Sequence, residues 1–118
     1  MSTPTIYGIA NCDTVKKARA WFAEHRLEPV WHDFKKLGVP EAPLDAWLAS
    51  VGWEKLLNRQ GTTWRKLPDA DKAAVVDEAS ARALMLRQPS VIKRPVVVWG
   101  SGEATVGFSD AAFAARRR

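Results

Sequence analysis

The sequence holds one cysteine, Cys12, in 118 residues, and that scarcity rules out an intramolecular disulfide. Histidine is nearly as scarce. His25 and His32 lack metal-ligand spacing with each other or with Cys12, so both read as structural and no metal site is predicted. No apolar run approaches the roughly 18 residues of a membrane span. The N-terminus lacks a basic segment followed by a long apolar one, so no signal peptide is read. A solitary thiol fits a reducing compartment, which makes the cytoplasm the expected location. Repeats, low-complexity tracts and dividing linkers are also missing. The length suits one domain over residues 1–118, with a helical insertion at about 40–90.

What is present is a chain that is 47% hydrophobic, enough for a packed core rather than disorder. The net charge of +5 suits an anionic ligand or an acidic partner. Three of the positive charges are the terminal Arg116, Arg117 and Arg118, and no nucleic-acid-binding motif accompanies them.

Ile6 to Ile9 reads as a buried strand and Asn11 to Thr14 as a turn. From Asp13 the spacing becomes helical, with Val15, Ala18 and Phe22 on one face. Asp13 and Thr14 are expected to cap this helix rather than act as acid or base. Glu28-Pro29 breaks the pattern, and Val30 to Phe34 alternates as a second strand. Strand, helix and strand over about 30 residues make a βαβ unit, so the two strands are expected to be parallel. Lys35 to Glu41 is a connector. Pro43, Leu44, Trp47, Leu48 and Val51 then mark a helix that Gly52 closes. A short turn carries Trp53, Leu56 and Leu57, a loop spans Asn58 to Gly61, and Thr62 or Thr63 is expected to cap a further turn. In the next helix, started by Asp69 or Asp71, the inner positions predicted are Ala73, Val76 and Ala79. Ser80 is expected to cap another, with Leu84 and Met85 inward and Pro89 as its stop.

Pro95 to Trp99 is the strongest strand signal. Gly100 to Glu103 is a turn, Ala104 to Phe108 returns as a second strand, and together they make an antiparallel hairpin. Ser109 caps a last helix, with Phe108 and Phe113 spaced as a hydrophobic staple and arginines at its C-terminal end. The expected fold is therefore α/β, a four-stranded mixed sheet in the order β-α-β, helices, β-β-α.

The chemistry centres on Cys12, at the handover from strand to helix. Free N–H groups and the positive end of a helix dipole stabilise negative charge there, which favours a reactive thiolate. Free cysteines also serve as small buried hydrophobes, and position alone leaves both roles open. The six tryptophans are spread at positions consistent with packing.

The element order, with a lone cysteine on the first strand–helix turn, resembles the arsenate reductase (ArsC)/Spx family of thioredoxin-like proteins. The pieces that carry the resemblance are Thr5-Ile6-Tyr7 before Asn11-Cys12, the stretch Leu56-Leu57-Asn58-Arg59, and Val91-Ile92-Lys93-Arg94-Pro95-Val96-Val97-Val98. They span nearly the whole chain. The resemblance implies that Cys12 is the nucleophile, that Arg59 and Arg94 bind an oxyanion, and that Pro95 is cis and faces the cysteine. Asn11, Asp13 and Thr14 would flank the bound group. A guanidinium fork suits that task, because it makes two parallel hydrogen bonds to a carboxylate or oxyanion.

Arsenate reductases of this type use a third arginine after the hairpin, where this chain has Thr105-Val106-Gly107-Phe108. Spx-type regulators commonly carry Cys-x-x-Cys, where this chain has Cys12-Asp13-Thr14-Val15. The remaining similarity is to the single-cysteine, YffB-like branch. It implies a glutathione-dependent monothiol oxidoreductase with no tightly bound cofactor and glutathione as co-substrate. The other readings are an Spx-like protein that docks on RNA polymerase, and an arsenate reductase with a relocated third anion contact.

Overall fold

A computed structural model describes residues 3–116. The described residues fall into two compact units, one made of those up to Lys36 and from Arg94 onward, the other of Leu37–Lys93.

The first unit is built on a four-stranded mixed sheet. Strand β1 (Thr5–Gly8) leads into helix α1 (Asp13–Glu24), which returns to strand β2 (Val30–Asp33). After the second unit come strands β3 (Val96–Val98) and β4 (Ala104–Val106), then helix α8 (Asp110–Arg116). The strand order is β2-β1-β3-β4. β1 pairs parallel with β2, Ile6 opposite Trp31 and Gly8 opposite Asp33. It pairs antiparallel with β3, Ile6 opposite Val97 and Tyr7 opposite Val96. β3 and β4 form the expected antiparallel hairpin. Its turn is closed where Gly102 adopts φ +92°, a conformation that favours glycine.

Alternation along β1 sends Ile6 and Gly8 to one face and Thr5 and Tyr7 to the other. On the first face Ile6, Ala18, Trp21, Phe22, Val97, Trp99 and Phe113 form one buried cluster. The rings of Trp21 and Trp99 meet Phe113 edge-on at centroid distances of 5.2 and 5.0 Å. Trp21 Nε1 donates to Asp110 Oδ1 at 2.7 Å, satisfying its buried polar atom and tying α1 to α8. The staple at α8 forms as predicted: Phe108 and Phe113 lie 4.9 Å apart, and Ser109 Oγ accepts from Ala112 N.

α1 ends in a Schellman motif without glycine. Arg26 takes φ +55°, while Leu27 N donates to Phe22 O and Arg26 N to Ala23 O. Leu27 packs on the same cluster as Phe22, the apolar contact that accompanies this motif.

β2 is shorter than predicted. Asp33 Oδ1 accepts from Lys35 N at 2.9 Å, and this turns the chain so that Phe34 opens a helical turn, α2 (Phe34–Leu37), inside the expected connector. β3 and β4 are likewise trimmed, to Val96–Val98 and Ala104–Val106.

The second unit is helical: α3 (Glu41–Val51), α4 (Trp53–Leu56), α5 (Thr62–Arg65), α6 (Asp69–Ala73), α7 (Glu78–Arg87) and a 3-10 turn at Pro89–Val91. It is the predicted insertion. Leu44, Trp47, Leu48, Leu56, Leu57, Ala81, Leu84, Met85, Val91 and Ile92 are its buried side chains. Leu57 and Ile92 form an isolated antiparallel bridge, with Lys93 N donating to Leu56 O and Asn58 N to Val91 O.

Several local expectations here are corrected. Ala73, Val76 and Ala79 are exposed, not inner, because α6 stops at Ala73 and the chain reaches α7 through a bend. Asp77, not Ser80, is the N-cap of α7. Ser80 sits three residues on and completes a capping box with it. Pro68 and Gly61, rather than an aspartate or threonine, precede α6 and α5, and neither helix has a side-chain cap. Arg117 and Arg118, expected at the end of the last helix, lie outside the described residues.

Candidate functional site

β1 ends at Gly8, and three residues later the chain reaches Asn11 and Cys12. Cys12 is itself the N-cap of the twelve-residue α1, extended at φ −142°, ψ 124°. Its carbonyl accepts from Lys16 N at 2.9 Å, while its side chain makes no capping bond. This corrects the expectation that Asp13 and Thr14 cap the helix: they are its first two residues. The sulfur therefore stands at the head of the helix, where the first-turn N–H groups lack intrahelical acceptors. Cys12 and Thr14 are partly exposed, and Asn11 and Asp13 fully so. The alternative of a core cysteine is thereby set aside.

Val15 fixes that first turn. It is fully buried, and it packs so closely over Gly8 that a Cβ there would come within 2.9 Å of Val15 Cγ2. Glycine at the end of β1 is what lets the head of α1 approach the sheet.

The antiparallel register places Val96 opposite Tyr7, so Pro95 and Arg94 precede β3 at the end of the sheet where β1 leads towards Cys12. The Arg94–Pro95 bond is cis, as the resemblance implies. Pro95 is buried and its carbonyl accepts from Gly107 N at 2.9 Å. Arg94 is half-buried, and among the described residues it has no acidic partner. Lys16 and Lys17 on α1 are exposed and equally unpaired. Cys12, Asn11, Asp13, Thr14, Arg94 and Pro95 thus belong to one unit and one end of one sheet.

Arg59 belongs to the second unit, in the loop between α4 and α5. Its guanidinium lies over the indoles of Trp53 and Trp64, 5.5 and 5.9 Å from the ring centroids. The sequence puts these tryptophans on short turns and gives neither a role at the site. Their spacing about Arg59 was visible, but one sequence does not distinguish a ring under an arginine from a ring in the core.

Two further groups at the cysteine's end of the sheet carry no signal of their own in the sequence. Asp33 is the one buried acidic residue among those described, paired in register with Gly8. Tyr7 packs its ring against His32 at 5.0 Å, and burial pushes its hydroxyl above the usual tyrosine range. His25 stacks on Trp21 at 4.0 Å, with Nδ1 2.8 Å from Trp21 O. Both histidines thus have structural contacts. Among the described residues no group of three or more His, Cys, Asp or Glu side chains could hold a metal, and no helix is long and apolar enough to cross a membrane.

Comparison with known proteins identifies the family and the fold. The family model for the ArsC family matches residues 7–116. A solved structure of a protein called YFFB is 51% identical, covers 97% of this chain and 98% of its own, and superposes with a TM-score of 0.90. An arsenate reductase (ArsC) related protein from Brucella melitensis is 52% identical over 97% of this chain and 93% of its own, with a TM-score of 0.74. An uncharacterized protein of Haemophilus influenzae is 39% identical over 106 residues, 90% of this chain and 91% of that one. The chain belongs to the ArsC family, with its thioredoxin-like fold and the single cysteine of the YffB-like branch.

Proposed function

We propose that the protein is a glutathione-dependent monothiol oxidoreductase. The observation that carries this reading is a partly exposed Cys12 at the head of a twelve-residue helix, with the half-buried Arg94, which has no acidic partner among the described residues, at the same end of the sheet. The thiolate is the nucleophilic form of a cysteine, and attack on a disulfide sulfur proceeds through it.

The chain holds no second thiol, so the reaction needs an external one. Cys12 thiolate attacks the glutathione sulfur of a mixed disulfide substrate. A Cys12–glutathione disulfide forms, the substrate's S–S bond breaks, and the substrate leaves as a thiolate that takes a proton. A second glutathione thiolate then attacks the glutathione sulfur of that intermediate. Glutathione disulfide leaves and Cys12 returns as thiolate. In net, the substrate sulfur is reduced to a thiol, one free glutathione is oxidised, and it leaves joined to the glutathione that the substrate carried. Arg94 binds a glutathione carboxylate or an equivalent anion, Asn11, Asp13 and Thr14 border the sulfur, and Pro95 shapes the wall beside it; Arg59, in the second unit, is an anion binder by the family resemblance. No arginine stands over 105–108, where arsenate reductases of this type have their third one.

The test is glutathione-linked turnover of a small mixed disulfide by the native protein and by Cys12→Ser. Activity falls to the uncatalysed rate in Cys12→Ser, while Arg94→Ala and Arg59→Ala raise KM for glutathione. Equal turnover by the native and Cys12→Ser proteins refutes the assignment. Arsenate-dependent thiol oxidation in the same assay would redirect the reading to arsenate reduction.

A further inference from the structure

The loop that carries Arg59 is fixed from several sides within its own unit. Asn58 N donates to Val91 O at 2.8 Å, and Asn58 Oδ1 accepts from Gln60 N at 3.2 Å. A Cβ on Gly61 would come within 2.8 Å of Asn58 Nδ2, so the turn closes tightly. The side chain is held as well. Trp53 opens α4 and Trp64 lies in α5, so the two indoles under the guanidinium come from the elements on either side of the loop.

Arg59 is exposed and, among the described residues, has no carboxylate partner. Glu54 is the lone acidic residue between Trp53 and Pro68, against Lys55, Arg59, Arg65 and Lys66. A long cation of this kind ordinarily samples many rotamers in water and loses that freedom when it binds an anion. Lying over indole faces removes part of the freedom beforehand and leaves the N–H edge to bind.

We propose that Trp53 and Trp64 are positioning residues that hold Arg59 ready for a carboxylate or oxyanion. The inference rests on the anion-binding role given to Arg59 above and adds what sets its affinity. Trp53 and Trp64 touch no ligand in this account. They act through the arginine.

The experiment titrates the full chain with sodium sulfate, following the Arg59 Nε–Hε resonance and the Gln60 backbone amide by 1H–15N NMR. In the native protein the Nε–Hε signal carries a ring-current shift and moves on titration. Trp53→Leu and Trp64→Leu each reduce the ring-current shift and weaken sulfate binding about two- to fivefold, the size of an exposed cation–π contact. Phenylalanine at either position restores part of both. In an Arg59→Ala background, read at Gln60, the tryptophan substitutions have no further effect on affinity. A merely structural role would still move it.

If Arg59→Ala leaves the sulfate response of Gln60 unchanged, the anion-binding role fails and takes this inference with it. If Arg59→Ala weakens binding but both Trp→Leu variants bind as the native protein does, positioning alone is overturned. Should a leucine variant fail to fold, the phenylalanine variants decide: native affinity despite a reduced ring-current shift overturns the proposal.

Discussion

Replacing Gly8 by alanine tests the packing that sets the head of α1, and with it the position of Cys12. The added Cβ would sit 2.9 Å from Val15 Cγ2 and 3.8 Å from Trp31 Cη2. Carbon atoms in good contact lie about 3.5–4.0 Å apart, so Val15 must retreat by roughly 0.6–1 Å. It has little room to do so, being fully buried and β-branched on a helix, where one side-chain rotamer dominates. Overpacking of this kind costs about 1–3 kcal/mol. Losing glycine stiffens the unfolded chain and returns roughly 0.4–1 kcal/mol. The net destabilisation is about 0–2.6 kcal/mol. For 118 residues, at an unfolding entropy of about 2.1 cal/mol/K per residue, that lowers Tm by up to roughly 10 °C, with about 5 °C at the middle of the range.

Val15→Ala alone also destabilises, by about 1–3 kcal/mol, because two buried methyl groups are lost and a cavity remains. The double variant discriminates between explanations. The new Cβ at position 8 enters the space that Val15 vacates, so the double variant is more stable than the sum of the single effects by about 1 kcal/mol or more. Urea unfolding of the four proteins measures the cycle, and an unchanged m-value shows that the denatured state is not the source. Additivity within about 0.5 kcal/mol would refute the claim that Gly8 is required by the close approach of Val15.

Arg26→Gly removes a non-glycine residue from φ +55° at the end of α1. The relief of the left-handed conformation outweighs the extra chain entropy, so stability rises by up to about 1 kcal/mol in thermal melts. A lower Tm would contradict that balance. Asp77 accepts hydrogen bonds from Ser80 N and Ser80 Oγ, chiefly the former, and they hold its carboxyl below the ordinary 3.8. A depressed folded value means that the cap's contribution is present above the unfolded value and is lost as pH falls through the folded one. Asp77→Asn keeps a capping oxygen without a titrating group. Melting temperatures recorded from pH 6 to pH 2 should therefore fall less steeply for Asp77→Asn than for the native protein below about pH 4. Parallel curves would remove Asp77 as the cause.

How much of this was legible in the sequence depended on how far each signal reaches along the chain. The βαβ start, the hairpin, the staple of Phe108 and Phe113 and the Leu44–Leu48 face of α3 all rest on residues within a few turns of one another. All formed as expected. The errors collect where helices are four or five residues long. Such helices have too few residues to show a face, so the spacing predicts Val76 as inner whereas it is 71% exposed. Capping errors have a related origin. Asp77 and Ser80 both carry side chains that cap helices, and which of them is the N-cap depends on where the backbone leaves the extended region, which composition does not fix.

The candidate site divides along the same line. Cys12 was readable because its chemistry and its place at a strand–helix junction are local. Arg94 and Pro95 were marked by the motif around them, but their arrival at the cysteine's end of the sheet is a fact of register, set by Tyr7 pairing with Val96 across most of the chain length. Asp33 and Trp53 gave no warning, because a carboxylate in a strand and a tryptophan on a turn each have an ordinary surface or core explanation until the fold gives them neighbours. Gly8 lies between these cases. A glycine in a strand permits a close approach, but which side chain takes the space is decided by the fold. A glycine in a strand next to a candidate nucleophile is therefore worth testing before the nucleophile itself: it shows whether the following helix is held against the sheet, the packing that sets where Cys12 stands.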